Sequence, residues 1–339
     1  MDKKQTMGLV IAAIIFVVTA SASVLVNTFA NNKKNKSFME ELMDSVYSSS
    51  ASFSDMPVGD FVAIVPIQGI IQASSDNESL FATTVGYDHK MLLKYVDTLM
   101  KNSNNKGMVL KLNTPGGTVY EADELYLKIK EYKETTGRPI WAYMENQCCS
   151  GGVYIASIAD EQYANRITTT GSIGVIWTTY SFKELYEKLG IEEIHITSGK
   201  NKAMGAAGEN MTSEQLSILQ GIVDEYYENF VEIVADGRNK TTAQVKELAD
   251  GRIYTAKQAQ ENGLIDGIKT YEDFRDYVLA NVEGRSVRFY EPKQQPSYFS
   301  SFFGSVKQLK PKSEIEATRE FIENLGSGGP MYYANPIGE

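Results

Sequence analysis

Apolar segments of two kinds alternate along the middle of the chain, and their spacing predicts an α/β domain. Residues 61–71 (FVAIVPIQGII) form a β-branched apolar run, which is typical of a buried strand. Further strands are predicted at residues 107–112, 139–144 and 191–197. Helices are predicted at residues 119–134, 150–159, 181–190, 213–236, 241–249 and 255–263. Because helix-length connections separate the strands, we expect an α/β fold with mostly parallel strands.

The amino-terminal region divides by polarity into three segments. Residues 7–26 carry no charge, and about 20 residues at roughly 1.5 Å per residue match the hydrocarbon core of a bilayer. We therefore expect a short tail at residues 1–6, one transmembrane helix at residues 7–29 and a linker at residues 30–57. The alternative is a cleaved secretory signal, since residues 20–22 (Ala-Ser-Ala) have the form of a cleavage site. Both interpretations place the following domain outside the cytoplasm.

Composition and charge narrow the class of partner. The 339 residues have a net charge of −10 and no long run of Lys or Arg, so nucleic acid is not an expected partner. The two cysteines, Cys148 and Cys149, are adjacent, which excludes a long-range disulfide framework and a zinc site built from cysteines. The Gly-rich motifs of nucleotide-binding loops are absent from the sequence. We therefore expect no cofactor and no metal.

Two predicted strand ends carry candidate chemistry. Gly116 and Gly117 follow one strand in LNTPGGTV, and a glycine turn can direct backbone N–H groups toward an anion. Ser150 follows the next strand in CCSGG and would open a helix, with the N–H of Gly151 and the helix dipole facing its oxygen. Together they offer a nucleophile and an oxyanion hole for acyl transfer. The alternative for Ser150 is a simple helix N-cap, and for the glycines a simple turn.

A nucleophilic serine needs a base, and the histidines are poor candidates. His195 lies inside a predicted strand, and His89 precedes a predicted helix and is expected at the surface. A desolvated lysine can activate serine instead, because desolvation lowers the lysine pKa. Lys200 and Lys202 lie in a small, uncharged loop that follows the strand at residues 191–197.

Five ordered motifs resemble the signal peptide peptidase A family of Ser-Lys proteases, over residues 60–280. They are LNTPGGTV (112–119), SGGVYIASIAD (150–160), TGSIGVI (170–176), TSGKNKAMG (197–205) and GRIYTAKQAQENGLID (251–266). The resemblance implies the fold of the Clp protease and crotonase superfamily, with a protease domain at residues 58–285. It also implies an anchored homo-oligomeric ring or dome that cleaves remnant signal peptides, with a neighbouring subunit able to complete the Ser-Lys pair.

The same resemblance assigns roles to residues. Ser150 matches the nucleophile and Lys202 the base, with Lys200 the less favoured alternative. The N–H groups of Gly151 and of the Gly116/Gly117 turn match the oxyanion hole. Ser172 in TGSIGVI matches the residue that orients the lysine, and its alternative is a plain turn serine.

Other classes share some of these features. A crotonase-fold acyl-CoA enzyme or an inert membrane scaffold of the same fold would leave Lys202 or Ser150 without a catalytic part. The order of its motifs excludes a penicillin-binding enzyme. The C-terminal extension, residues 286–339, has an aromatic segment (296–309), a short amphipathic helix (313–325) and a GSGG linker before an apolar end. Such a tail would be able to lie in a peptide groove as a product or an inhibitor.

Overall fold

The computed structural model describes residues 53, 55–73, 86–284, 286–292 and 330–333. Those from residue 56 onward lie in one compact unit. The predicted tail, membrane anchor and most of the linker lie outside the described residues, as do the aromatic segment and the short helix of the C-terminal extension. Within the described part of the chain, no helix is both long and apolar enough to cross a bilayer.

Strands and helices alternate through most of the described chain. The strands are β1 (Phe61–Gln68), β2 (Asn105–Thr114), β3 (Gly116–Thr118), β4 (Ile140–Cys149), β5 (Glu161–Ala164), β6 (Thr169–Gly171), β7 (Ile176–Trp177), β8 (Ile253–Thr255), β9 (Gly267–Ile268), β10 (Arg288–Tyr290) and β11 (Pro330–Tyr333). The helices are α1 (His89–Lys101), α2 (Val119–Thr136), α3 (Gly151–Ala156), α4 (Lys183–Leu189), α5 (Ser213–Arg238), α6 (Thr242–Lys246), α7 (Ala256–Glu261) and α8 (Tyr271–Asn281).

The predicted α/β class with a mostly parallel sheet is confirmed. Eight strands form one sheet, in the order β10-β1-β2-β4-β5-β9, with β6 beside β4 and β8 beside β6. All of these pairs are parallel except β6 with β8. A second sheet has the order β3-β11-β7, and both of its pairs are antiparallel.

The core fills both faces of the large sheet. On one face, α8 contributes Phe274 and Val278, which pack against Val62, Trp141 and Tyr143 of the central strands. On the other face, aromatic contacts join α1 to the sheet, since the Tyr95 ring lies 6.3 Å from Tyr290, and Tyr290 lies 5.8 Å from Phe61. Burial on both faces explains why β1, β2 and β4 are near-continuous apolar runs. The last residues of β2 and β4, Thr114 and Cys149, are buried as well.

The segment between β6 and α5 departs from the prediction. No residue from 174 to 229 is buried, and residues 191–197, which we predicted as a strand, have no strand structure. Ile194 and Ile196 are 74% and 98% exposed, so the apolar pattern that suggested a strand covers no core within the described chain. A strand needs a neighbouring strand to satisfy its backbone, and this segment pairs with none of the described strands. The prediction of a strand at this position is wrong.

Candidate active site

Ser150 occupies a strained turn between β4 and α3. Its backbone has φ 52° and ψ −115°, a combination that L-residues rarely adopt and that costs about 1–3 kcal/mol. Its N–H donates to the carbonyl of Gly171 at 2.8 Å, which fixes the turn against the end of β6. The residue is 1% exposed, and its Oγ has no hydrogen-bond partner among the described residues. Ser150 makes no side-chain cap bond, so the simple N-cap role does not explain it.

The glycine turn lies directly beside Ser150. A Cβ on Gly116 would lie 3.0 Å from the Cβ of Ser150 and 2.9 Å from the N of Gly151. The N–H of Gly116 itself donates to Thr114 Oγ1 at 3.0 Å, so it is not available to an oxyanion. The predicted oxyanion role of Gly116 therefore needs correction. Of the two turn glycines, only Gly117 is able to contribute its N–H.

The backbone N–H and C=O of Gly117 face a groove between β3 and β7. The carbonyl of Gly116 accepts from Ile71 N–H and the N–H of Thr118 donates to Ile71 carbonyl, at 2.9 and 2.8 Å. Backbone groups alternate along a strand, so the N–H and C=O of Gly117 face the opposite edge of β3. At that edge Gly117 pairs with Tyr332 of β11.

The groove beside Ser150 holds the chain's own C-terminal segment. β11 runs antiparallel to β3 on one side and to β7 on the other. The carbonyl oxygen of Tyr332 lies 2.1 Å from the position that a Cβ on Gly116 would occupy. The same position is 3.0 Å from the Ser150 Cβ, so the Tyr332 carbonyl lies on the side of Gly116 that faces Ser150. The C-terminal segment therefore occupies the space between β3 and β7, next to Ser150.

Ser172 lies next to the turn at Ser150. It follows Gly171, whose carbonyl accepts from Ser150, and its own N–H donates to the carbonyl of Arg252 at 2.7 Å. Its φ of 53° places it in the left-handed region, as for Ser150. The ends of β4 and β6 thus present two strained serines side by side.

The lysine loop does not reach this cluster within the described chain. Lys202 is exposed, whereas Ser150 is buried and its Oγ has no partner there. Lys200 forms an ion pair with Glu214, with an N–O distance of 2.6 Å. Lys200 is thus paired with a carboxylate and makes no contact with Ser150 Oγ. The sequence around the loop suggested no such carboxylate partner.

The histidines are engaged elsewhere. His89 was expected at the surface, but it is 5% exposed. Its Nδ1 contacts Tyr87 Oη and its Nε2 contacts Glu124, each at 2.7 Å, so both ring nitrogens are engaged away from Ser150. His195 lies in the exposed segment, 3.5 Å from Glu193. Neither histidine forms a triad with Ser150.

The neighbouring cysteines and Gly152 are structural. Burial raises the pKa of the Cys149 thiol to about 11, and raises that of Cys148 well above its ordinary value. Both are therefore protonated thiols at neutral pH and weak nucleophiles. A Cβ on Gly152 would lie 2.7 Å from Thr114 Cγ2 and 3.2 Å from Cys148 Sγ. Gly152 is thus required by interior packing.

Comparison with known proteins decides the family. A model described as Peptidase family S49 matches residues 132–283. A putative signal peptide peptidase SppA of Enterococcus faecium is 36% identical over 275 residues, which cover 79% of this chain and 79% of the relative. The chain belongs to peptidase family S49. This S49 member is therefore a serine protease, and the acyl-CoA enzyme and inert scaffold alternatives fall away.

Two other relatives are also named as proteases. Putative protease slr0021 of Synechocystis sp. is 39% identical over 250 residues, covering 72% of this chain and 89% of the relative. Protease 4 of Haemophilus influenzae is 28% identical over 246 residues, covering 72% of this chain and 38% of the relative. Both are among the proteins that this S49 peptidase resembles in sequence.

Sequence reasoning missed the residues that fill the groove. The sequence shows Tyr332, in the motif PMYYA, only as part of an apolar end. In the structure its ring stacks on Tyr154 with centroids 4.9 Å apart and lies 4.7 Å from Phe230. The aromatic pair at residues 332–333, which follows the sequence GSGG, is the available signal. It does not indicate which strand edge the segment joins.

Proposed function

We propose that this S49 peptidase cleaves extended peptides, remnant signal peptides among them, through an acyl-enzyme on Ser150. The observation that carries the proposal is β11, an extended segment that lies between β3 and β7 with a carbonyl next to Ser150. A substrate backbone would add to the same two edges by strand addition. The edges of β3 and β7 supply backbone hydrogen bonds, which do not depend on the side chains of the substrate. Such a groove therefore suits peptides of varied sequence.

In the proposed reaction, Ser150 Oγ attacks the substrate carbonyl while a neutral Lys202 takes the hydroxyl proton. The N–H groups of Gly117 and Gly151 bind the oxyanion. Support comes from Gly117, which pairs with Tyr332, and from the Gly151 nitrogen, which lies 2.9 Å from the position of a Cβ on Gly116, as the Tyr332 carbonyl oxygen also lies near that position. The resulting lysine ammonium protonates the leaving amine, and a water molecule then releases the acyl group by the reverse proton path. Ser172 would orient the lysine.

Two observations support a lysine supplied by a neighbouring copy. Ser150 Oγ lacks a partner among the described residues, and Lys202 is solvated, whereas a catalytic lysine needs desolvation to lose its proton near neutral pH. The segment that carries Lys202 also exposes large apolar side chains, including Leu189 and Ile196. Apolar side chains that form an exposed patch are typical of a protein contact, and we infer such a contact here. A homo-oligomeric ring or dome would cover this surface and complete each dyad.

The remaining parts of the proposal rest on the sequence. A fold of the Clp protease and crotonase type agrees with the parallel sheet and the turn at Ser150. A single-pass anchor at residues 7–29 would hold the protease domain at the outer face of the cell membrane, where cleaved signal peptides remain in the bilayer. Neither a metal nor a cofactor enters the reaction.

Hydrolysis of a fluorogenic apolar peptide tests the dyad. Ser150→Ala abolishes turnover, and Lys202→Ala lowers kcat about 100- to 10,000-fold because it removes the base. Lys200→Ala is the matched control and retains activity. Equal losses in the two lysine variants contradict the assignment of the base.

Coexpression tests whether neighbouring copies share the dyad. A one-to-one mixture of Ser150→Ala and Lys202→Ala chains would recover about a quarter of wild-type activity, because one adjacent pair in four carries both groups. If each chain holds its own dyad, the mixture is inactive.

A further inference from the structure

Thr114, the last residue of β2, contacts both of the turns that form the candidate site. It is fully buried and pairs with Cys148 of β4, two residues before Ser150. Its Oγ1 accepts a hydrogen bond from the N–H of Gly116 at 3.0 Å. Its methyl carbon lies 2.7 Å from the position of a Cβ on Gly152, so it packs against the first turn of α3. One side chain thus connects the glycine turn after β2 with the helix that follows Ser150.

The glycine turn has little stiffness of its own. Gly116 has a φ of 102°, and glycine backbones rotate without the steric penalty that a Cβ imposes. Pro115 has no N–H, so the N–H of Gly116 is the one backbone donor between Thr114 and Gly117. A threonine hydroxyl is well placed to bond a backbone group two residues further on, as it does here. The Thr114 hydroxyl therefore supplies a restraint that the glycines lack.

The orientation of the peptide between Gly116 and Gly117 decides which backbone group faces the groove. The carbonyl of Gly116 accepts a hydrogen bond from the N–H of Ile71 at 2.9 Å. In a trans peptide the carbonyl and the following N–H point in opposite directions, so the N–H of Gly117 points away from Ile71. The bonds made by Thr114 and Ile71 restrain Gly116 on both sides. They hold this peptide in the orientation that the proposed oxyanion hole requires.

We propose that Thr114 is a positioning residue for the oxyanion hole. Its hydroxyl orients the N–H of Gly117, and its methyl group packs the turn against the helix that follows Ser150. The inference deepens the function proposed above and rests on it. Thr114 is fully buried, so it acts through the turn and not on the substrate. An oxyanion donor works only within a narrow range of distance and angle, so loss of the restraint lowers kcat more than it weakens ground-state binding.

Steady-state hydrolysis of a fluorogenic apolar peptide by the full chain tests the hydroxyl. Thr114→Val keeps the shape of the side chain but removes the acceptor, and we expect kcat to fall about 10- to 100-fold with KM within about threefold. Thr114→Ser keeps the acceptor and retains kcat within about fivefold. Thr168→Val is the matched control, because it removes a buried hydroxyl that donates to the carbonyl of Met144 at 3.0 Å, outside the glycine turn. Its kcat stays within about threefold of the wild-type value. Equal kcat values in Thr114→Val and Thr114→Ser, or an equal loss in Thr168→Val, overturn the proposal.

Two inhibitors of one peptide sequence test the oxyanion contact itself. The aldehyde of acetyl-Leu-Leu-Leu adds to Ser150: Oγ bonds to the aldehyde carbon, the aldehyde oxygen takes the electron pair of its π bond, and the hydroxyl proton passes to the base. The corresponding alcohol forms no such bond and no oxyanion. Thr114→Val raises the Ki of the aldehyde about 10- to 100-fold and leaves that of the alcohol within about threefold. Equal weakening of both inhibitors means that Thr114 shapes the groove as a whole, which overturns the proposed role.

Amide hydrogen exchange separates this inference from the proposed function, because it needs no turnover. NMR of the full chain with isotope-labelled glycine should show the Gly116 N–H exchanging at least about tenfold faster in Thr114→Val than in the wild type or Thr114→Ser, since it loses its acceptor. If this order holds and the wild type is no more active than Ser150→Ala, the proposed reaction fails and the restraint on the turn stands. If hydrolysis depends on Ser150 while exchange and kcat are unchanged in Thr114→Val, the reaction stands and the role of Thr114 is refuted.

Discussion

The backbone at Ser150 predicts an unusual order of stability between two inactive variants. The variants Ser150→Ala and Ser150→Gly both remove the hydroxyl. They therefore lose the same side-chain interactions, whether or not a lysine contacts Ser150 in the wild-type protein. They differ only in the Cβ. Glycine tolerates a φ of 52° and a ψ of −115°, whereas alanine keeps the strain.

The magnitude follows from two opposing terms. Relief of the strained backbone is worth about 1–3 kcal/mol, and the greater freedom of glycine in the unfolded chain costs about 0.4–1 kcal/mol. We therefore expect Ser150→Gly to unfold at a free energy about 1 kcal/mol higher than Ser150→Ala. For a domain of this size that corresponds to a Tm roughly 2–4 °C higher.

Ser157 provides the matched control. It is also buried and ends the same helix, but with an ordinary φ of −64°. There the order is the usual one, with Ser157→Gly less stable than Ser157→Ala by about 0.5–1 kcal/mol. Denaturant or thermal unfolding of all four variants measures both differences. An alanine variant at position 150 whose stability equals or exceeds that of the glycine variant refutes a strained turn at Ser150.

Three further outcomes follow from the site. In Gly117→Ala the new Cβ would lie 1.8 Å from the carbonyl oxygen of Ile71, so β3 has to shift. We expect kcat to fall at least about 100-fold, and steady-state kinetics on the folded protein measure this loss. His89→Gln breaks the contact between residue 89 and Glu124 and lowers the free energy of unfolding by about 1–3 kcal/mol, yet kcat is retained. A large loss of kcat would instead indicate that His89 takes part in the reaction. At pH 8 iodoacetamide alkylates Cys149 about 100-fold more slowly than a free cysteine, because burial raises the pKa of the Cys149 thiol from 9 to about 11. The alkylation rate rises as the pH approaches 11. Rapid alkylation at pH 8 with loss of activity contradicts this expectation.

The sequence predicted the parts of the fold that local patterns determine. Strands β1, β2 and β4 are continuous apolar runs because both of their faces are buried, and such runs are easily recognised. Because parallel strands bring their carboxyl ends to one edge, the motifs after β2 and β4 were expected to meet. Gly116 lies beside Ser150, as that rule predicts.

The parts that depend on distant or missing partners were not predictable in this way. Residues 191–197 have a strand-like pattern, but they find no partner strand within the described chain. His89 is buried because Tyr87 and Glu124 satisfy both of its nitrogens, and Glu124 comes from a different helix. The position of Tyr332 depends on a contact more than 100 residues away along the chain, with Tyr226. Pattern and motif carry no information on such long-range pairs.

The most direct test of the central claim is the site of covalent labelling by a fluorophosphonate probe. Mass spectrometry of the digested full-length protein should locate one adduct, on Ser150. The adduct should be absent in Ser150→Ala, strongly reduced in Lys202→Ala and retained in Lys200→Ala. Labelling that persists in Ser150→Ala, or an adduct on another residue, would contradict Ser150 as the nucleophile.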